Sequence, residues 1–213
     1  MSTQLLGTHT SLVAHPNLVA RILEVPDKYL CFCELAPSRL CMRGPGSPFS
    51  PELVRTRVGL FSCLVWQAIT FGTLFAATSP MIFTSSENFN NVRNALGPKP
   101  DEYFCDKGAY GVSNPCRKCE LAESYWEALV DGKWEIFVGD RVVPFMECYQ
   151  WLMGGKPKWF AQLGSLAAYL LTVDLLYSGV IEVASEEEMA LIIRDINKGA
   201  VSALERLCLI TPR

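Results

Sequence analysis

The feature that most constrains this chain is the run from Val58 to Phe83, which contains no Asp, Glu, Lys or Arg. A helix that is apolar on every side must be covered on every side. Either the rest of the chain wraps it or a lipid bilayer does. Ser50-Pro51-Glu52 stands just ahead with helix-start chemistry: a hydroxyl for first-turn amides, a proline where no donor is needed, and an acid at the positive end of the dipole. The pattern predicts a helix from about Ser50 to Thr78 that stops before Pro80.

A second apolar helix is predicted from Lys156 to Tyr177, ended by Gly179. Val58 to Phe83 and Trp159 to Val183 are each long enough to span a bilayer. Three features favour burial in protein instead. Asp174 lies within the second run, where an acid at a bilayer centre costs about 2.5–3.5 kcal/mol. Gln67, Thr70, Thr73, Thr78 and Ser79 interrupt the first. Arg55 and Arg57 precede the first run and Lys156 and Lys158 the second, so a two-span hairpin would carry positive flanks on opposite sides. The expectation is a helical core of two long apolar helices packed against each other, with membrane association as the alternative.

The last helix is the most legible. Ser185-Glu186-Glu187-Glu188 is a capping box with acid stacked at the positive end. Met189, Ile192, Ile193, Ile196, Ala200, Leu204 and Leu207 recur at spacings of three and four. That is an amphipathic helix laid on a core. Shorter helices are expected at Pro16–Glu24, Ser85–Leu96, from Asn114-Pro115 to Val130, and at Phe145–Met153. Tyr29 to Leu35 reads as extended. Trp134 to Val143 reads as a β-hairpin turning at Gly139-Asp140.

The fold class is therefore α-rich, either mainly α or α+β with one small hairpin, in a single domain over residues 1–213. Residues 1–15 form a polar N-terminal segment, and residues 44–49 a Gly/Pro loop or linker before the core helix.

Composition narrows the functional classes. Hydrophobic residues make up 50% of the chain and charged residues 19%, which calls for a large apolar interior or membrane contact. The net charge is −3 with Lys and Arg scattered, which argues against a phosphate-neutralising nucleic-acid grip. Met1 to His15 lacks a charged region leading into an apolar one, so no secretory leader is predicted. Nine cysteines without such a leader point to mostly free thiols in a reducing, cytoplasmic compartment.

Cys116-Arg117-Lys118-Cys119 is the sharpest local motif. At a helix start beside two cations its thiols would favour the thiolate, so Cys116 and Cys119 are candidates for redox or nucleophilic chemistry. Cys105, Cys116 and Cys119, completed by Cys148 or by one of Cys31, Cys33 and Cys41, could instead hold a structural zinc. The plain alternative is unbonded, partly buried thiols. Cys63 and Cys208 fit an apolar core.

Asp174 is the other catalytic candidate. Buried near Tyr169 and Tyr177, it would have a raised pKa and could act as general acid or base. The plain alternative is a structural bond to Thr172, Gln67 or solvent. The two histidines, His9 and His15, both lie in the N-terminal segment, and no Gly-rich phosphate cradle is present. Aromatic residues crowd the stretch from Tyr103 to Trp159 and read as core or as interface.

Three functions follow as expectations. The first is a non-catalytic intracellular protein that acts through a protein partner or as a homo-oligomer. The second is a small enzyme or ligand-binding protein with an apolar pocket between the long helices. The third is a membrane-associated protein.

Overall fold

The computed structural model describes residues 19–20, 23–24, 37–70, 81–95, 120–161 and 163–196. The described chain is helical. Its elements are α1 (Pro37–Cys41), α2 (Pro51–Val54), α3 (Arg57–Val65), a π-helical turn (Trp66–Thr70), α4 (Ser86–Ala95), α5 (Glu120–Val130), a 3₁₀ turn (Lys133–Phe137), α6 (Phe145–Met153), α7 (Ser165–Tyr177) and α8 (Glu186–Ile196).

The first apolar run is not one continuous helix. Ser50 and Pro51 start α2 as expected, but the chain breaks at Arg55-Thr56. Thr56 is extended there and begins α3 afresh, its hydroxyl oxygen accepting from the Gly59 amide at 3.0 Å. The two helices cross so closely that a Cβ at Gly59 would lie 1.9 Å from the Leu53 carbonyl oxygen. A glycine is therefore required at that crossing. At the far end the ladder widens into the π-turn, a bulge with one residue too many for α geometry. Residues 71–80, the remainder of the expected helix, lie outside the described residues.

The all-round apolar character of α3 is explained by its coverage. Leu60, Phe61, Cys63, Leu64 and Val65 are all buried. Phe61 meets Trp126 of α5 edge-on at 5.1 Å between ring centroids. The buried Ser62 hydroxyl donates to the Val58 carbonyl at 2.8 Å and accepts from the Phe83 amide at 2.9 Å. Phe83 in turn packs edge-on against Phe89 of α4. In α5, Leu121, Ala122, Tyr125 and Leu129 are buried while Glu120, Glu123 and Glu127 are exposed, which is the expected amphipathic split.

The expected hairpin is absent. Among the described residues there is no strand, and Lys133–Phe137 is a 3₁₀ turn. Gly132 enters it at φ 86°, and its carbonyl accepts from Glu135 at 3.1 Å. The physical reason lies in the spacing of the aromatics. Trp134 and Phe137 are three apart, which puts both on one side of a 3₁₀ turn, toward the core, and leaves Glu135 exposed. Val143 pairs elsewhere: its amide donates to Val180 at 3.0 Å and its carbonyl accepts from Glu182 at 2.9 Å, an isolated parallel bridge to Ile181. Arg55, left at the α2–α3 break, reaches across to this segment. Its Nη1 donates to the carbonyls of Gly139 and Arg141, each at 2.8 Å.

The second apolar helix is shorter than expected. It starts at Ser165 rather than Lys156, because residues 154–161 form turns in which Gly155 adopts φ 88° against Trp159. Its end is as expected. Gly179, at φ 74°, donates to Leu176 at 2.9 Å, and Val180 donates to Leu175 at 3.4 Å, a Schellman stop. α6 matches the expected Phe145–Met153, and α8 carries the expected capping box. There the Ser185 amide donates to Glu188 at 2.9 Å and the Glu188 amide to the Ser185 hydroxyl at 3.2 Å. Ile192 of α8 is buried, and α8 packs on α7.

Among the described residues no helix is long and apolar enough to cross a membrane. The expected extended segment Tyr29–Leu35, with Cys31 and Cys33, lies outside the described residues, as do the loop 99–114, the CxxC motif and Cys208.

Candidate functional site

The polar residues of α7 define the site. Thr172 and Ser178 are buried, yet each is satisfied within the helix. The Thr172 hydroxyl donates to the Ala168 carbonyl at 2.8 Å and the Ser178 hydroxyl to the Asp174 carbonyl at 3.0 Å. Asp174 cannot do this. Its carboxylate only accepts, and at 2% exposure it needs donors from outside the helix.

Those donors come from the other end of the sequence. Arg39 of α1 bonds one carboxylate oxygen through Nη1, and Arg43 reaches the other through Nη2 at 3.3 Å. Arg39 is itself buried and lies over the Trp66 ring of the π-turn, 5.5 Å from the centroid. Arg43 lies over the Tyr177 ring at 4.2 Å. Guanidinium stacking on aromatic faces while bonding a carboxylate is the geometry that arginine and not lysine provides. The turns from Met42 to Ser50 hold this corner in place. Met42 and Phe49 are buried, and Phe49 packs edge-on against Trp66.

Burial pushes the Asp174 carboxyl above its ordinary range. The charge and hydrogen bond of Arg39, then those of Arg43, oppose that rise. The raised pKa agrees with the sequence expectation, whereas the bonding does not. Thr172 donates to its own helix, and the partners of Asp174 are two arginines that the sequence reading did not pair with it. The missed signal was Arg39-x-x-x-Arg43, two cations one helical turn apart in an otherwise apolar stretch. Chemically, each carboxylate oxygen already accepts from a cation. The arrangement is a clamp between the N-terminal part of the described chain and α7.

Cys63, on α3, is a buried thiol within the field of Asp174. Burial raises its thiol well above the ordinary value, and the negative field of Asp174 adds to the rise. Cys148, on α6, is pushed up to about 12 by burial, with a Thr172 hydrogen bond opposing. Both are protonated at neutral pH and inert as nucleophiles. Tyr125 is likewise raised by burial, and its hydroxyl donates to the Ala161 carbonyl at 2.6 Å. Gln67, in the π-turn and buried, has a side-chain carbonyl with no hydrogen-bond partner among the described residues.

Cys105, Cys116 and Cys119 lie outside the described residues. Cys148 is a free thiol in the core, and among the described residues no group of three or more His, Cys, Asp or Glu side chains could hold a metal. The aromatic cluster is partly core. Tyr125, Phe160, Trp151 and Phe137 form a continuous edge-on string, with neighbouring centroids 5.9, 5.0 and 5.4 Å apart. Compared with protein-family models, curated proteins and solved structures, the chain matches none of them.

Proposed function

We propose that this chain works by association, as a homo-oligomer or docked to a protein partner, and not by catalysis. One observation carries the reading: Asp174, the acid best suited by sequence to proton transfer, spends both oxygens on Arg39 and Arg43. A buried charge cluster of that kind fixes how segments pack and gives specificity rather than reactivity. The inert thiols of Cys63 and Cys148 support the same reading.

The architecture that goes with it is two long apolar helices at the centre, to which α3 and α7 belong, covered by the amphipathic α8, in a cytoplasmic protein. A structural zinc on Cys105, Cys116 and Cys119, completed by one of Cys31, Cys33 and Cys41 in place of the core thiol of Cys148, belongs to this proposal. Metal analysis of the purified chain tests it, with about one zinc per chain expected. The association itself is tested by light scattering of the full 23.7 kDa chain and by its elution from native extract. A mass above one copy, or a specific co-eluting protein, is expected. A chain that stays a lone monomer in both overturns the reading.

The orphaned Gln67 acceptor, in a π-turn that touches α7, favours a second reading, a small-ligand pocket at that contact. A ligand with a hydrogen-bond donor, found by thermal-shift screening and lost in Gln67→Met, would establish it.

A further inference from the structure

Arg43 does more than complete the clamp. Asp174 engages one of its terminal nitrogens, Nη2, at 3.3 Å. The side chain remains 19% exposed. Its guanidinium already lies over Tyr177, a ring that is itself 49% exposed. Leu40, 50% exposed, sits three residues earlier, its carbonyl accepting from the Arg43 amide at 3.2 Å.

We propose that Leu40, Arg43 and Tyr177 form a docking surface for a protein segment that presents an Asp or Glu carboxylate between apolar neighbours. The inference rests on the association reading and names the chemistry of the partner. Charge complementarity selects the occupant. Two arginines share the single carboxylate of Asp174, so the cluster keeps an excess positive charge at the part-exposed Arg43, and the strongest match for it is a second carboxylate. Arg and Tyr dominate binding hot spots, and a side chain immobilised before the encounter loses less entropy on binding. The half-exposed Leu40 and Tyr177 suit the apolar flanks of a peptide and give nothing to a bare ion.

The test uses the full chain and a short dye-labelled synthetic peptide with one Glu between leucines, read by fluorescence anisotropy. The Glu peptide should bind, and its Gln counterpart should bind about tenfold more weakly or worse, the equivalent of one decade in Kd. Arg43→Gln and Leu40→Asp should each weaken the Glu peptide by about tenfold or more. Leu40 lies outside the ion cluster, so its variant keeps the test valid if Arg43→Gln fails to fold. Equal binding of the Glu and Gln peptides, binding of neither, or indifference to Leu40→Asp overturns the proposal. Binding of inorganic phosphate alone, with the same dependence on Arg43, assigns the site to a small oxyanion and also overturns it. Oligomers or a co-eluting partner that persist unchanged in Leu40→Asp overturn it too, while leaving the association reading intact on another surface.

Discussion

The charged cluster at the end of α7 and the aromatic string beside α6 hold the molecule in opposite ways. In the string, each of Tyr125, Phe160, Trp151 and Phe137 gains by leaving water, whichever ring it meets. In the cluster, each of Arg39, Arg43 and Asp174 is costly to bury except in the company of the others. The string is a sum of separate gains and the cluster is a single unit. The difference teaches that one region of the molecule is held by area and the other by pairing.

The largest effects should expose that difference. Asp174→Ala strands the buried Arg39 guanidinium and leaves the part-buried Arg43 without its carboxylate, and should cost about 3–5 kcal/mol in chemical denaturation. Phe160→Ala should cost about as much, 3–5 kcal/mol, from lost burial and the cavity left behind. The variants part company on rescue. Replacing Arg39, Arg43 and Asp174 together by Met, Met and Leu should restore stability to within about 1 kcal/mol of the parent or above it. Adding Trp151→Ala to Phe160→Ala should only deepen the loss. If the triple replacement is as unstable as Asp174→Ala alone, the cluster is not a unit and the contrast fails.

The same contrast decides what could be seen in the sequence. Burial, capping and stops depend on local pattern, so α4, α6, the Schellman end at Gly179 and the capping box at Ser185 were legible from spacing alone. The Asp174 pKa was legible in direction because burial of α7 was. Its partners were not, because Arg39 lies 135 residues away and nothing local marks it as a counter-charge. The π-turn and the break at Thr56 were hidden for a related reason. A charge-free run reads as a continuous helix, and only the crossing at Gly59 shows why it bends. The hairpin failed because Trp-Glu-Ile-Phe alternates well enough for a strand, while its aromatics, three apart, are served better by a 3₁₀ turn.

The next effect lies in alkali and separates the two cysteines. Cys148 has its pKa raised from 9.0 to about 12, so between those values the unfolded chain releases a proton that the folded chain keeps. Folded stability should therefore be intact below pH 9 and fall as the pH rises from 9 toward 12. The fall should be on the order of 3–4 kcal/mol, from about 1.4 kcal/mol per unit of pKa. Cys148→Ala should flatten that part of the curve in urea titrations at stepped pH. Cys63 should add a fall of the same sign, and Asp174→Asn should reduce that addition by removing the negative field. The Cys148 part should be unchanged in Asp174→Asn. A change in both would mean that the cluster reaches further along α7 than its geometry implies.

Gln67 gives a smaller effect. Its orphaned side-chain carbonyl sits in the π-turn next to α7. Leaving a buried acceptor unmet costs about 1–3 kcal/mol, so Gln67→Met, close in volume, should raise the unfolding free energy by up to about 1 kcal/mol once packing losses are counted. Destabilisation by more than about 1 kcal/mol would show that the carbonyl serves the fold through a partner and would extend the paired unit into the π-turn.

The smallest effect tests pairing itself in water. Arg141 and Glu147 form an ion pair with side chains 55% and 41% exposed, close to the loop whose carbonyls Arg55 holds. It repeats the chemistry of the cluster without the burial. Exposed pairs are screened by salt and lose side-chain entropy, so Arg141→Ala should cost no more than about 0.5 kcal/mol. That small loss should vanish in about 1 M salt, whereas the Asp174→Ala loss should persist there, because Asp174 and Arg39 are buried. The Arg141 carbonyl still serves Arg55 in the variant, so the loop keeps its shape and the measurement reads the ion pair alone. Equal salt sensitivity at the two sites would mean that water reaches Asp174 freely, and the contrast between a region held by area and a region held by pairing would then be lost.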